Sequence, residues 1–221
     1  MLCAYWKLRR AGEKDPDITE IIERDDGFII AQRPARYFAA PADWADFEQT
    51  ALALAHGRVL DVGCGAGRFA LALQERGTPV TGLDVSAGAV DVCRQRGVLH
   101  VVQGAVTSAG GMGYDTFLLM GENIGLLESG QHAAVFLRAL AGRARPGARI
   151  IGHGADPGGR PGELTVRVRF RNLATAWFGY LLCSPGQLAA LAEPAGWELT
   201  SADYADPVNY LAVLTLVGGP S

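Results

Sequence analysis

The chain has 221 residues, of which 49% are hydrophobic and 19% charged, enough for one medium-sized domain with a full core and too apolar for a disordered chain. Twenty Lys and Arg against 23 Asp and Glu leave a net charge of −3, so the basic excess of a nucleic-acid binder is missing. No apolar run reaches membrane-spanning length. The opening MLCAYWKLRR carries its basic patch after rather than before an apolar stretch, so the sequence reads as cytoplasmic with no membrane partner.

In chain order, Asp17-Ile18-Thr19-Glu20 reads as a helix start of capping-box type. Ile18, Ile21 and Ile22 would form the apolar face of that helix, Glu20, Glu23, Asp25 and Asp26 would meet solvent, and Gly27 would stop it. Residues 33–41 form an irregular aromatic link carrying Tyr37 and Phe38. A second helix, roughly 43–55, puts Trp44, Phe47, Ala51 and Leu54 on one stripe.

From 58 the pattern alternates. Strands are predicted at 58–62, 79–84, 98–102, 114–120 and 148–153, with helices at about 67–76, 86–96 and 128–144. Thr78-Pro79, Gly97 and Pro146-Gly147 punctuate the joins. Such repetition implies a parallel sheet covered on both faces, with right-handed crossovers. After the connector GGRPG, LTVRVRF alternates strictly, with Val166, Val168 and Phe170 on one face and Arg167, Arg169 and Arg171 on the other. The aromatic run 176–182 could pair with it as a hairpin. Ser184-Pro185-Gly186-Gln187 opens a last helix to about Ala195, and strands follow at 197–203 and 208–217.

The most informative stretch is VLDVGCGAG at 59–67: a short buried strand, an acid at its end, and glycines at 63, 65 and 67 before a helix. One strand and helix later VTGLDVS ends in Asp84, placed to accept the hydroxyls of a ribose. A dinucleotide fingerprint would need a third glycine where Arg68 stands, and Asp61 would repel a diphosphate at a helix N-terminus but attract an ammonium group. The four cysteines, at 3, 64, 93 and 183, make no C-x-x-C pair and no metal spacing with the histidines, so neither a metal nor a disulfide is expected.

These residues closely resemble motif I of the class I S-adenosylmethionine-dependent methyltransferases, and Asp84 is similar to that family's ribose-binding acid. The resemblance covers residues 57–156 and, more loosely, the closing strands. It implies a Rossmann-like α/β fold: a mostly parallel seven-stranded sheet with an antiparallel last strand, a small β-insert and an N-terminal helical lid. The chain then divides into the lid (1–56), the cofactor-binding core (57–156), the insert over the acceptor site (157–183) and the closing helix and strands (184–221).

The implied cofactor is S-adenosylmethionine. Gly63, Gly65 and Gly67 would let the backbone pass its methionine portion, with Cys64 a small packing residue in the turn. Asp61 would reach the ammonium, Asp84 the ribose and Val85 the adenine. Gly104, Ala105 and Val106 would offer only backbone and apolar contacts, where many relatives carry an acid. Met120 and Gly121 complete the set at the end of the fourth strand.

Glu122 and Asn123 follow directly, where the resemblance places the methyl group and its acceptor, and His153 is the other candidate base; His132 opens a surface helix. Tyr37, Phe38, Trp177 and Tyr180 are candidate acceptor contacts, and Arg167 and Arg169 suggest an anionic substrate beneath the insert, unless they are simply the solvated face of an edge strand. The implied reaction is methyl transfer to oxygen or nitrogen of a small molecule. The alternatives are a protein or peptide side-chain methyltransferase and a non-catalytic cofactor-binding module.

Overall fold

The computed structural model describes residues 1–108 and 111–218. In chain order its elements are α1 (Leu2–Arg10), β1 (Glu20–Arg24), β2 (Ile29–Gln32), α2 (Asp46–Leu54), β3 (Val59–Val62), α3 (Arg68–Glu75), β4 (Val80–Asp84), α4 (Ala87–Arg96) and β5 (Val101–Gln103). There follow β6 (Tyr114–Leu119), α5 (Gly130–Ala141), β7 (Ala144–Ala155), β8 (Glu163–Phe170), β9 (Leu173–Ala174), β10 (Phe178–Leu181), α6 (Pro185–Ala192), β11 (Trp197–Tyr204) and β12 (Asn209–Leu216).

Seven strands form the main sheet in the order β11-β12-β7-β6-β3-β4-β5. β3 to β7 run parallel, β12 is antiparallel to β7, and β11 is antiparallel to β12. The central strands are apolar on both faces. Leu60, Phe117, Ile150 and Leu214 enter one core layer, while their neighbours Val59, Leu118, Ile151 and Val213 enter the other. Trp197 anchors the first layer, edge-on to Phe117 and donating its indole N–H to the Leu137 carbonyl at 3.0 Å. Short polar caps start the helices. Ser86 accepts from the Ala89 N–H, Ser129 from that of His132 and Ser184 from that of Gln187.

The second sheet, ordered β10-β8-β1-β2 with β9 against β8, corrects the N-terminal prediction. The helix expected from Asp17 is instead strand β1, which pairs antiparallel with β2 and with β8, far away in the chain. A helix that short is marginal alone, whereas paired isoleucines suit a sheet. The Asp-Gly at 26–27 is a hairpin turn rather than a helix stop: Gly27 adopts φ 86°, and Arg24 N–H donates to Phe28 C=O at 2.9 Å. The N-terminal region does hold helices, but elsewhere. The unpredicted α1 packs on α4, and its Tyr5 and Trp6 stack on Phe38. No helix of the described residues is long and apolar enough to cross a membrane.

Candidate active site

The turn after β3 uses its three glycines differently. All have positive φ, which favours glycine. A Cβ on Gly63 would sit 2.5 Å from Asn123 Nδ2, and one on Gly67 would sit 2.8 Å from Val98 and 2.9 Å from Cys93, so both are required by close packing. A Cβ on Gly65, or on Gly121 across the cavity, would meet nothing within 4 Å. Gly63, Gly65 and Gly121 line the cavity, and of these Gly65 and Gly121 face open space, whereas Gly67 packs against the Val98 and Cys93 side chains.

Asp61 closes the floor of this space. It is 3% exposed, and its Oδ2 has no hydrogen-bond partner. Burial pushes its pKa up to about 7, against the opposing pull of the nearby Arg68 cation and the Ala70 backbone N–H. A buried carboxylate oxygen without a donor is costly unless something supplies one, and an ammonium group does. Asp84, at the end of β4, accepts the Gly65 N–H at 2.9 Å and the Ser86 N–H at 2.8 Å, tying the glycine turn to the next strand. Ser86 caps α4, so Asp84 is not the helix cap. Burial raises its pKa as well. Val85 beside it is 69% exposed and offers a free apolar face.

At the other end, Glu122 follows β6 in a left-handed conformation, φ 64° and ψ 23°. Its N–H donates to His153 Nδ1 at 3.0 Å, and its carbonyl accepts the Tyr180 hydroxyl at 2.7 Å. The Glu122 carboxylate makes no ion pair or hydrogen bond among the described residues. Its charge acts on Tyr37, Tyr180 and His153 together, raising the pKa of both phenols in addition to burial. The Tyr37 hydroxyl donates to the buried Glu20 carboxylate at 2.8 Å and accepts from Gln32 Nε2 at 2.9 Å. Asn123 turns its amide N–H groups to the Val62 and Gly63 carbonyls at 2.9 and 3.1 Å, so its donors hold the glycine turn instead of facing an acceptor.

The family profile described as "Methyltransferase domain" matches residues 59–147. A 43-residue segment, 20% of the chain, is 49% identical to the malonyl-[acyl-carrier protein] O-methyltransferase of Serratia marcescens, a match spanning 17% of that protein's length. The SAM-dependent methyltransferase from Bacteroides fragilis, solved in complex with S-adenosyl-L-homocysteine, superposes with a TM-score of 0.86 at 25% identity, over 98% of this chain and 94% of that one. Residues 59–147 are a methyltransferase domain, and the chain has the fold of the class I S-adenosylmethionine-dependent methyltransferases. Its fold is shared by the CcbJ methyltransferase from Streptomyces caelestis, at a TM-score of 0.62 and 17% identity over 80% of this chain and 94% of that one. S-adenosylmethionine is the cofactor, and the orphaned Asp61 oxygen and the open cradle at Gly65 and Gly121 fit its amino-acid end.

Several expected site residues of this methyltransferase are placed elsewhere. Phe38 is enclosed by Tyr5, Trp6 and the Arg96 guanidinium, so it fastens α1 and does not contact an acceptor. The register of β8 puts Arg167 and Arg169 on the face opposite Leu164, whose partner is Tyr180. Both arginines bind Glu23, and Arg167 also lies over Trp177, 4.7 Å from the ring centroid. Their hydrogen bonds hold the Glu23 carboxyl below its ordinary pKa, with Arg169 the larger cause. The anionic-substrate signal therefore dissolves into a surface ion-pair network, and Trp177 belongs to it.

Val106 is buried in the core and cannot meet adenine with its side chain, whereas Ala105 is exposed and Gly104 N–H is bonded to the Asp84 carbonyl at 3.0 Å. Met120 and Cys64 line the cavity from buried positions, and the Cys64 thiol lies 3.8 Å from that of Cys93. His153 is buried with both ring nitrogens engaged, which corrects its reading as a free base.

Three contributors escaped the sequence reading. Arg36, in a short 3-10 turn, lines the cavity beside Tyr37. Arg68 also lines it, paired with Glu48 of α2 and lying over Trp44, which joins the N-terminal region to the cofactor turn. Glu20 was assigned to solvent and is instead 2% exposed. Its only signal, unrecognised in the sequence, was period-two alternation with Ile22.

Proposed function

We propose that the protein transfers a methyl group from S-adenosylmethionine to an oxygen or nitrogen atom of a small-molecule acceptor. Asp61 receives the cofactor's ammonium, Asp84 the ribose hydroxyls, Val85 with the Gly104 and Ala105 backbone the adenine, and Gly65 and Gly121 leave room for the chain between. When bound, the cofactor supplies a methyl group made electrophilic by its sulfonium. The protein's task is to position and desolvate the reacting atoms.

Glu122 orients the acceptor and takes its proton, with Tyr37 and Tyr180 as the walls that exclude water. The observation that carries this reading is the orphaned Asp61 oxygen in a cavity lined by Gly121 and Asn123, the two chain neighbours of Glu122, whose own carboxylate is unpaired among the described residues. A small acceptor is favoured by the covering sheet and by the net charge of −3.

Thermal unfolding tests the first half. Methyl donor and demethylated product should both raise the melting temperature, because each binds only the folded state, while NAD and NADP should not. A shift with NAD and none with the sulfonium cofactor would end the proposal. Mass spectrometry of a ligand copurifying with the protein would then name the acceptor class.

A further inference from the structure

We infer that His153 is a positioning residue: as the neutral Nε2–H tautomer it links Asp206 and Asn209 to the backbone of Glu122 and so fixes where that carboxylate stands. The inference rests on the proposed role of Glu122, and it assigns to His153, Asn209 and Asp206 a part that no motif of the chain suggests.

The chain of hydrogen bonds starts in the turn before β12. Asp206 Oδ1 accepts the backbone N–H of Val208 at 2.8 Å and of Asn209 at 2.7 Å, and its Oδ2 accepts Asn209 Nδ2 at 2.8 Å. A carboxylate only accepts, so the Asn209 side chain must turn its NH₂ toward Asp206 and its oxygen away. That oxygen lies 3.2 Å from His153 Nε2. An amide oxygen also only accepts, so Nε2 carries the ring proton. The remaining nitrogen, Nδ1, then has a free lone pair, and it receives the Glu122 N–H at 3.0 Å. Each bond fixes the direction of the next.

The receiving end needs such support. Glu122 is one of three non-glycine residues of the described chain with positive φ, a conformation that persists only where its surroundings determine it. On its carbonyl side the Tyr180 hydroxyl and the Gly125 N–H, at 2.7 and 2.9 Å, complete the clamp. One hold comes from β7 and another from β10 of the second sheet.

The imidazole is 4% exposed and packs against Phe47 of α2 at 4.7 Å between centroids. The charged groups facing it are Glu122, Glu48 of α2, Asp206 and Arg36. The three carboxylates favour the imidazolium, while Arg36 and, above all, burial oppose it, and the balance holds the ring's pKa below its ordinary value. A second proton, on Nδ1, would set an N–H against the Glu122 N–H and release the turn.

The test uses the whole protein saturated with S-adenosylhomocysteine and needs no acceptor. Nitrogen-15 spectra of histidine-labelled protein should show one ring locked as the Nε2–H tautomer at about pH 7 and above. Hydrogen exchange at the Glu122 amide, corrected for its intrinsic rate, should accelerate on the order of tenfold in His153→Phe. His153→Asn, whose Oδ1 stands near where Nδ1 was, should restore most of the protection. Asn209→Asp should raise the pH at which Glu122 loses its protection, because a carboxylate against Nε2 favours the imidazolium.

An Nδ1–H tautomer, or unchanged Glu122 exchange in a folded His153→Phe protein, would overturn the inference. Should His153→Phe fail to fold, an unmoved pH for Asn209→Asp would overturn it equally. Loss of S-adenosylhomocysteine binding by wild-type protein would count against the methyltransferase site instead, which separates the two failures.

Discussion

In the proposed reading, the cofactor end of the site is assembled within one strand–helix–strand unit, whereas the acceptor end is gathered from the whole chain. Asp61, Gly65 and Asp84 come from β3, its turn and β4, adjacent parallel strands whose register is set by backbone pairing. Tyr37 comes from the N-terminal region, Glu122 from the turn after β6, His153 from β7 and Tyr180 from β10. The first end is built on the main sheet, with Arg36 and the Arg68–Glu48 pair linking it to the N-terminal region. The second exists only because β1 pairs with β8 and β10 docks beside Glu122. Changes in one end should therefore leave the other measurable.

The largest effect should come from Gly67→Val. Its φ of +76° and the contacts of a Cβ with Val98 and Cys93 predict a loss of about 3 kcal/mol or more, seen in chemical denaturation. Gly65→Ala, with the same sign of φ but open space around it, should cost only about 1 kcal/mol while weakening S-adenosylhomocysteine binding strongly. If the two variants were equally unstable and bound equally well, the division of labour among the glycines would be wrong.

Next in size, Glu122→Gln should slow turnover on the order of 10²-fold with cofactor affinity unchanged, because the carboxylate belongs to the acceptor end. A parallel fall in cofactor affinity would erase the separation between the two ends. Smallest of all, Arg169→Ala should leave turnover and its substrate dependence within error of wild type. The side chain is tied to Glu23 on the outer face of the second sheet, where a surface ion pair contributes little.

The main sheet was legible because its central strands β3, β4 and β6 are short, mostly apolar runs, and because VLDVGCGAG carries its chemistry contiguously. β1 was not, since EIIER offers helix and strand patterns equally and the partner that decides between them lies in β8. The arginines of β8 were read correctly as one face, but which face met the site depended on the register with β10. His153 was noticed as a titratable residue near the site. That both its nitrogens are spent follows only from Asn209, a residue with no signal of its own in the sequence.

In the proposed reading, the buried Asp61 carboxylate holds the cofactor's ammonium. In the free protein its pKa is raised from 3.8 to about 7, so the folded state holds a proton that the unfolded chain has released. Stability therefore falls as pH rises from about 4 to about 7, by on the order of 4 kcal/mol once ionisation is complete. Asp61→Asn removes that cost, and the variant without ligand should be the more stable protein at about pH 8. Calorimetric titration with S-adenosylhomocysteine across this range is the most direct test. Wild-type affinity should rise as pH increases through about 7, and Asp61→Asn should bind roughly tenfold to 150-fold more weakly at about pH 8, with little pH dependence there. Binding by Asp61→Asn as tight as wild type, with the same pH profile, would contradict the account.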